Sequence, residues 1–193
     1  MIDEITQNKA RGGKFVYNSN ACVVEFQSQM HPIIIVPTTL TPGSLCLGNA
    51  YKFLEKGTYE ESGVEVPQPV QIKHKINGRE ITFDVYDSTT GFSESKWRRL
   101  VCVICSGNDW QFKGWKPLQG SGSELSKKEL FARVRGYYMT YSDSKIPPVI
   151  ETWNVVKLIL PRNKRHHDVN EMTKFWQDFE IFLKREKFRG SDW

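Results

Sequence analysis

The sequence predicts an α/β fold in which a mostly parallel sheet is covered by helices on both faces. Residues 32–37 and 100–105 are short, almost wholly apolar runs, which is typical of central strands buried on both sides. Residues 153–160 form a further apolar run that stops at Pro161. Helical patterns separate these runs, and the alternation of buried strands with helices favours a parallel sheet.

The clearest local signal is a β-hairpin centred on the Asn-Gly pair at 77–78. Apolar residues alternate on both sides of this pair, and Asn-Gly favours the type I′ turn that joins two antiparallel strands. The hairpin therefore adds one antiparallel strand at an edge of the sheet. The alternating positions are Val70, Ile72, Ile76, Ile81, Phe83 and Val85.

Three helices are predicted from capping signals and apolar periodicity. The first spans 41–57, where a threonine cap precedes proline and a glycine stands at the far end. The second starts at the capping box in 126–129 and carries an apolar stripe as far as Tyr138. The third covers 172–183 with the i, i+3, i+4, i+7 spacing of an amphipathic helix.

The predicted order is strand, helix, hairpin, strand, helix, strand and helix, which is the arrangement of Ras-like GTPases. We expect the Ras-like domain to occupy residues 31–193. Residues 1–30 are polar and are expected to form an N-terminal arm or linker, with a short edge strand near 22–26.

The charge balance favours an anionic partner. The net charge is +5, and nucleic acid, a phosphopeptide and an acidic protein all remain open as partners. No apolar run approaches the roughly 20 residues that span a bilayer, and the polar N-terminus does not resemble a signal peptide. We therefore expect a soluble protein that is neither secreted nor associated with a membrane.

Residues 43–48 have the glycine spacing of a phosphate-binding loop. Such a loop needs a lysine that neutralises phosphate and a hydroxyl group that binds magnesium. Asn49 and Ala50 stand at those two positions, and the segment falls inside the predicted helix 41–57. We therefore expect the affinity for a nucleoside triphosphate to be largely lost, with Gly48 serving helix packing.

Two further nucleotide-binding motifs are also broken. The Asp-x-x-Gly that contacts the γ-phosphate should follow the hairpin, but Asp87 and Gly91 are one residue too far apart. The Asn-Lys-x-Asp that recognises guanine should follow the late strand, but His166 replaces its carboxylate. Because three sites fail independently, we expect a domain that neither binds nor hydrolyses GTP.

Other patterns do not point to catalysis, a metal or a cofactor. Cys102 and Cys105 lie three apart on a predicted strand, so their thiols point to opposite faces and cannot share one ion. His166 and His167 are adjacent, and no further ligand has the spacing of a zinc site. We interpret the thiols as core residues and 162–168 as a basic turn before the last helix.

Several segments together resemble the C-terminal domain of the parafibromin family, a subunit of the polymerase-associated factor (Paf) transcription elongation complex. They keep their order over about 31–188, and the combination of WQFKGW with a later KRHxD is specific. The matching segments are 32–37, Trp110 to Trp115, Trp153 with the strand after it, Lys164-Arg165-His166-x-Asp168, and Phe175-Trp176.

The resemblance implies a nuclear, Ras-like domain without nucleotide binding. It also implies partners: other Paf complex subunits, chromatin, and phosphorylated repeats of elongating RNA polymerase II or of an elongation factor. Family members support association of the complex with chromatin and with the polymerase.

Two groups of residues are candidates for phosphopeptide binding, since Arg and Lys suit phosphate and aromatic faces suit Tyr and Pro. The loops after parallel strands meet at one edge of the sheet, so the geometrically favoured site joins WQFKGW to the basic turn. A solvated basic turn, core-capping tryptophans, a scaffold for other subunits and direct nucleic-acid binding remain open. The candidates are Arg98, Arg99, Trp110, Lys113 and Trp115, and Arg162, Lys164, Arg165, His166 and His167.

Overall fold

The computed structural model describes residues 30–38, 40–62, 64–115 and 126–185, together with two short strands. These two strands, β1 (Val16–Tyr17) and β2 (Val24–Glu25), pair antiparallel in a small sheet of their own. The edge strand predicted near 22–26 is found at Val24–Glu25 in this separate sheet and not in the main sheet, and the rest of that prediction lies outside the described residues. A domain boundary at residue 30 stays a prediction.

The main sheet has six strands in the order β4-β5-β3-β6-β7-β8. Strands β4 and β5 form the antiparallel hairpin, and the other neighbouring pairs are parallel. The prediction of a mostly parallel sheet with one antiparallel hairpin is confirmed. The bounds are β3 (Ile33–Ile35), β4 (Val70–Ile76), β5 (Arg79–Tyr86), β6 (Leu100–Cys105), β7 (Arg135–Tyr141) and β8 (Val155–Leu160).

Helices cover both faces of this sheet. Helices α1 (Leu47–Leu54) and α5 (Asp168–Arg185) pack on one face, where they share a core cluster with Ile34 and Cys102. Three short helices pack on the other face, in a second cluster with Ile33 and Cys105. They are α2 (Glu94–Arg98), α3 (Lys127–Arg133) and α4 (Pro148–Thr152).

The two thiols of the CxxC pattern fall into different core clusters, as the strand geometry predicts. Burial raises the pKa of both thiols well above the ordinary value, so they remain protonated and apolar. They serve as core residues. No described helix combines the length and the apolar character that crossing a membrane requires.

Strand β7 was missed by the sequence analysis, which continued a helix through Tyr138. Helix α3 ends at Arg133, and Val134 already has extended backbone, with φ −121° and ψ 146°. The segment after it pairs with β6 on one side and β8 on the other. An added Cβ at Gly136 would lie 2.5 Å from Cγ1 of Val155, so the strands meet closely there. Hydrogen bonding to the two neighbouring strands outweighs the local apolar spacing, which also suits a helix.

The first helix also begins later than predicted, at Leu47 rather than Thr41. A hydrogen-bonded turn occupies the interval, because the amide of Ser44 donates to the carbonyl of Thr41 at 2.9 Å. Gly43 lies in this turn with φ +78°, and an added Cβ there would lie 2.5 Å from the amide nitrogen of Tyr141. Because Gly43 packs closely against β7, the segment around it forms a turn, and the helix begins only after it. The short helices α2 and α4 were also not predicted.

Candidate functional site

The loops that follow β3, β6 and β8 meet at one edge of the sheet, because these strands run parallel. Their described residues are 36–38 with 40–46, 106–115 and 161–167. Ligands of open α/β sheets bind at this edge, where the loops present backbone and side chains together.

A side chain from the first turn of α1 closes the loop after β3. Asn49 is buried; its Oδ1 accepts from the amide of Cys46 at 2.8 Å, and its Nδ2 donates to the carbonyl of Ser44 at 3.2 Å. In a phosphate-binding loop the amides point at the ligand and a lysine follows the second glycine. Here an internal hydrogen bond takes the Cys46 amide, and Ala50 lies in the core.

The other two nucleotide-binding positions are also built differently. Asp87 follows β5, and its amide donates to Oε1 of Gln68 at 3.2 Å. His166 lies exposed in a 3-10 turn (Arg165–His167), with its ring centre 4.2 Å from that of His167. Among the residues that the structure describes, no cluster of His, Cys, Asp and Glu could hold a metal ion.

Trp110 stands at the surface in a 3-10 turn (Asp109–Phe112) that is tied to the end of β6. The side chain of Gln111 makes the tie, because Nε2 donates to the carbonyl of Ile104 and Oε1 accepts from the amide of Ser106, both at 2.8 Å. Trp110 is 52% exposed, and Lys113 is also exposed. Both line a groove of about 180 Å³. We call residues 109–113 the Trp110 turn.

Trp115, also predicted as a contact residue, is largely buried, although it lines the same groove as Trp110. Its side chain is 3% exposed, and its ring centre lies 5.4 Å from that of Trp97 and 5.1 Å from that of Phe112. The chain reverses at Gly114, where φ is +78°, and this turns Trp115 back over the sheet. Trp115 therefore supports the Trp110 turn from beneath.

Arg99 lies at the opposite end of β6, and the fold itself engages its guanidinium. Nη1 donates to the carbonyl of His31 at 2.8 Å and lies 3.8 Å from the carboxylate of Asp84. The side chain is only 12% exposed. Arg98 is exposed at the end of α2. The structure thus places these two arginines away from the Trp110 turn, and the guanidinium of Arg99 already has partners within the fold.

The basic turn after β8 presents Lys164 and His166 to solvent. Arg162 precedes them; its Nε donates to Oδ2 of Asp143 at 2.6 Å, and its guanidinium lies 4.1 Å from the ring centre of Tyr141. The hydrogen bond from Arg162 lowers the pKa of Asp143, so this pair stays ionised. Arg165 belongs to the same turn, but its side chain lies outside the described residues.

One strand, β7, separates the Trp110 turn from the basic turn. Strands β6 and β8 are therefore two strand spacings apart, which is about 10 Å. About three residues of an extended peptide span this distance. The structure therefore brings Trp110, Lys113, Lys164 and His166 to the same edge of the sheet.

Sequence reasoning missed a larger groove beside this edge. It lies between the loop after β3 and a second loop that contains Ser62 and residues 64–68. Its volume is about 450 Å³, and Leu40, Val64 and Glu65 are among the residues that line it. Two loops distant in sequence build it, so no single motif could reveal it. The one available signal was the alternation of Glu and Val over residues 64–66.

Comparison with known proteins assigns the family. A family model described as "RNA pol II accessory factor, Cdc73 family, C-terminal" matches residues 28–182. "Cell division control protein 73" of Saccharomyces cerevisiae is 31% identical over 164 residues, which cover 82% of this chain and 40% of that protein. "Protein CDC73 homolog" of Arabidopsis thaliana is 28% identical over 166 residues, covering 79% and 38%.

A solved structure titled "The conserved domain of yeast Cdc73" superposes with a TM-score of 0.70 at 31% identity. It matches 83% of this chain and 99% of that one. The chain spans about two fifths of the length of the curated relatives named above. These matches confirm the resemblance drawn from WQFKGW and KRHxD. The chain belongs to the Cdc73 family of RNA polymerase II accessory factors, of which it carries the C-terminal domain.

Proposed function

We propose that this chain is a non-catalytic adaptor domain of the Paf transcription elongation complex. It acts in the nucleus, where it supports association of the complex with chromatin and with elongating RNA polymerase II. Its ligands are phosphorylated C-terminal repeat peptides of the polymerase or of an elongation factor. Membership in a family of RNA polymerase II accessory factors supports the transcriptional part of this proposal.

The main support for a binding role is the exposure of Trp110. A tryptophan ring that is 52% exposed leaves much apolar surface in water, and such residues are frequent anchors of binding surfaces. The two hydrogen bonds of Gln111 hold the backbone of this turn in place before any ligand arrives. Little order then has to be gained on binding, which favours affinity.

Lysine side chains in the Trp110 turn and in the basic turn suit a phosphate. Lys113 shares its turn, and Lys164 and His166 stand two strands away on the same edge. A phosphoserine carries a charge of about −1.5 to −2 at neutral pH, so it interacts favourably with these groups. An aromatic or proline residue of the peptide would stack on Trp110 while the phosphate reaches the basic turn.

Fluorescence anisotropy with labelled repeat peptides tests the proposal. The phosphorylated peptide is expected to bind more tightly than the unphosphorylated one, and Trp110→Ala should weaken its binding about tenfold, as loss of an aromatic anchor does. Lys164→Ala should weaken binding of the phosphorylated peptide alone. Ile181→Ala and Lys128→Ala, at exposed positions elsewhere, are the matched controls.

Equal and negligible binding of both peptides would remove the phosphopeptide role and leave a scaffold for other subunits. A third outcome is direct nucleic-acid binding, which would be recognised by tight binding of bare DNA or RNA with a steep salt dependence.

A further inference from the structure

The groove beside α1 has the wrong charge for a phosphate, and we propose that it binds a cationic peptide segment of a partner protein. The segment carries an aliphatic side chain next to Lys or Arg. We call the site the acidic groove and define it by Leu40, Gly48, Val64, Glu65 and Val66, together with Asp87 at its border. It is a second binding site, distinct from the Trp110 turn and beyond the proposed function.

Close packing of two loops forms the walls of the acidic groove. An added Cβ at Gly48 would lie 2.7 Å from Oγ of Ser62 and 2.8 Å from the carbonyl oxygen of Val64, so Ser62 and Val64 rest directly on α1. Sγ of Cys46 lies 3.4 Å from the carbonyl oxygen of Ser62, and a second bond joins the loops where the hydroxyl of Tyr59 donates to Ser44. The groove is therefore formed before any ligand arrives.

The rim of the acidic groove exposes apolar side chains. Leu40 is 44% exposed and Val64 is 69% exposed, and both line the groove. They belong to a small set of large apolar side chains that the described part of the chain leaves in water. An aliphatic side chain inserted between them would remove apolar surface from water on both partners.

The charge of the acidic groove opposes that of the whole chain. Glu65 and Asp87 line it, and no lysine or arginine does among the residues that the structure describes. The chain as a whole carries +5. A phosphate or a nucleotide would meet two carboxylates without a compensating cation, whereas a Lys or Arg side chain would be attracted.

The groove of about 180 Å³ at the Trp110 turn, which we call the Trp110 groove, adjoins the acidic groove. Thr38 and Asp87 line both grooves. Variants that separate the two sites must therefore avoid these shared residues. Val64 and Glu65 line only the acidic groove and are exposed, so replacing them should not unfold the chain. Glu65→Gln removes the charge, and Val64→Ser removes the apolar contact.

Amide chemical shifts of the full chain, followed during titration with blocked pentapeptides, test the proposal. The probe is Gly-Lys-Leu-Arg-Gly, and the matched probes are Gly-Lys-Ser-Arg-Gly and Gly-Glu-Leu-Glu-Gly. We expect the first probe to shift amides of Leu40, Gly48 and Val64 at millimolar affinity. Replacing its leucine by serine should weaken binding about tenfold, as expected for one lost aliphatic contact. Glu65→Gln should weaken it about threefold, the scale of one exposed ion pair.

Several outcomes would overturn the proposal. One is the absence of any shift at about 10 mM probe, where a site of 1 mM affinity would be about nine-tenths occupied. Others are equal binding of the acidic probe, and shifts that persist unchanged in Val64→Ser. Binding of phosphorylated repeat peptides should be the same in Glu65→Gln and in the unmodified chain, so failure of one site is distinguishable from failure of the other.

Discussion

Replacing Asp178 by alanine is expected to destabilise the fold by about 3 kcal/mol, because this carboxylate links β7 to α5 through hydrogen bonds from two side chains. Arg135 donates to it twice, from Nε at 2.8 Å and from Nη2 at 2.7 Å. The hydroxyl of Tyr137 donates to it at 2.7 Å. All three residues belong to the interface between the sheet and its longest described helix.

The magnitude follows from what each partner loses. The buried hydroxyl of Tyr137 keeps only a contact at 3.4 Å with the carbonyl of Phe175, so leaving it poorly paired should cost about 1–2 kcal/mol. Arg135 retains some access to water, and its lost bidentate pair adds about 1–2 kcal/mol. Tyr137→Phe in the Asp178→Ala background should recover part of the loss, because no hydroxyl then remains to be satisfied.

Urea unfolding at neutral pH measures this difference, with Gln177→Ala on the same helix as an exposed control. Burial opposes ionisation of Asp178, yet hydrogen bonds from Arg135 and Tyr137 hold its pKa below its usual value. A lowered pKa in the folded state means that ionisation stabilises the fold above about pH 4, and that this contribution is lost as the pH falls further. A loss below 0.5 kcal/mol at pH 7, or one that does not shrink in acid, would refute the reasoning.

Three further outcomes are expected. Gly136→Ala should lower stability by about 2–3 kcal/mol in thermal melts, because its Cβ would lie 2.5 Å from Val155 in the sheet; an unchanged melting temperature would contradict this packing. Asn49→Ala should cost about 1–3 kcal/mol in urea unfolding, since it leaves the buried amide of Cys46 without its partner and the carbonyl of Ser44 with only the hydroxyl of Tyr59, whereas Asn163→Ala, at an exposed position, should be neutral. GTP with magnesium should not raise the melting temperature, and a rise of several degrees would contradict the loss of the nucleotide site.

Local signals predicted the hairpin and the last helix well. Asn77 and Gly78 both adopt positive φ, at 50° and 79°, so the turn depends on the conformational preferences of two adjacent residues. In α5 the buried positions Phe175, Phe179 and Phe182 follow helical spacing over about two turns. Such patterns need no knowledge of the rest of the chain.

Strand β7 shows where local signals fail. Leu130, Phe131 and Val134 are followed by two tyrosines, and this spacing suits a helix as well as a helix followed by a strand. The segment becomes a strand because β6 and β8 each offer it a parallel partner, which only the assembled sheet provides. The start of α1 is similar, since Gly43 packs against the backbone of β7.

The sequence by itself determined which chemistry is missing: Asn49 and Ala50 replace a lysine and a hydroxyl, and no folding can restore those groups. The tertiary structure decided which side chains meet solvent. Trp110 and Trp115 belong to one short segment, yet one is 52% exposed and the other 3%, because the chain reverses at Gly114 and packs the second ring on Trp97. The exposure of a side chain depends on neighbours that are distant in sequence. The acidic groove likewise exists only because two loops that are distant in sequence pack together.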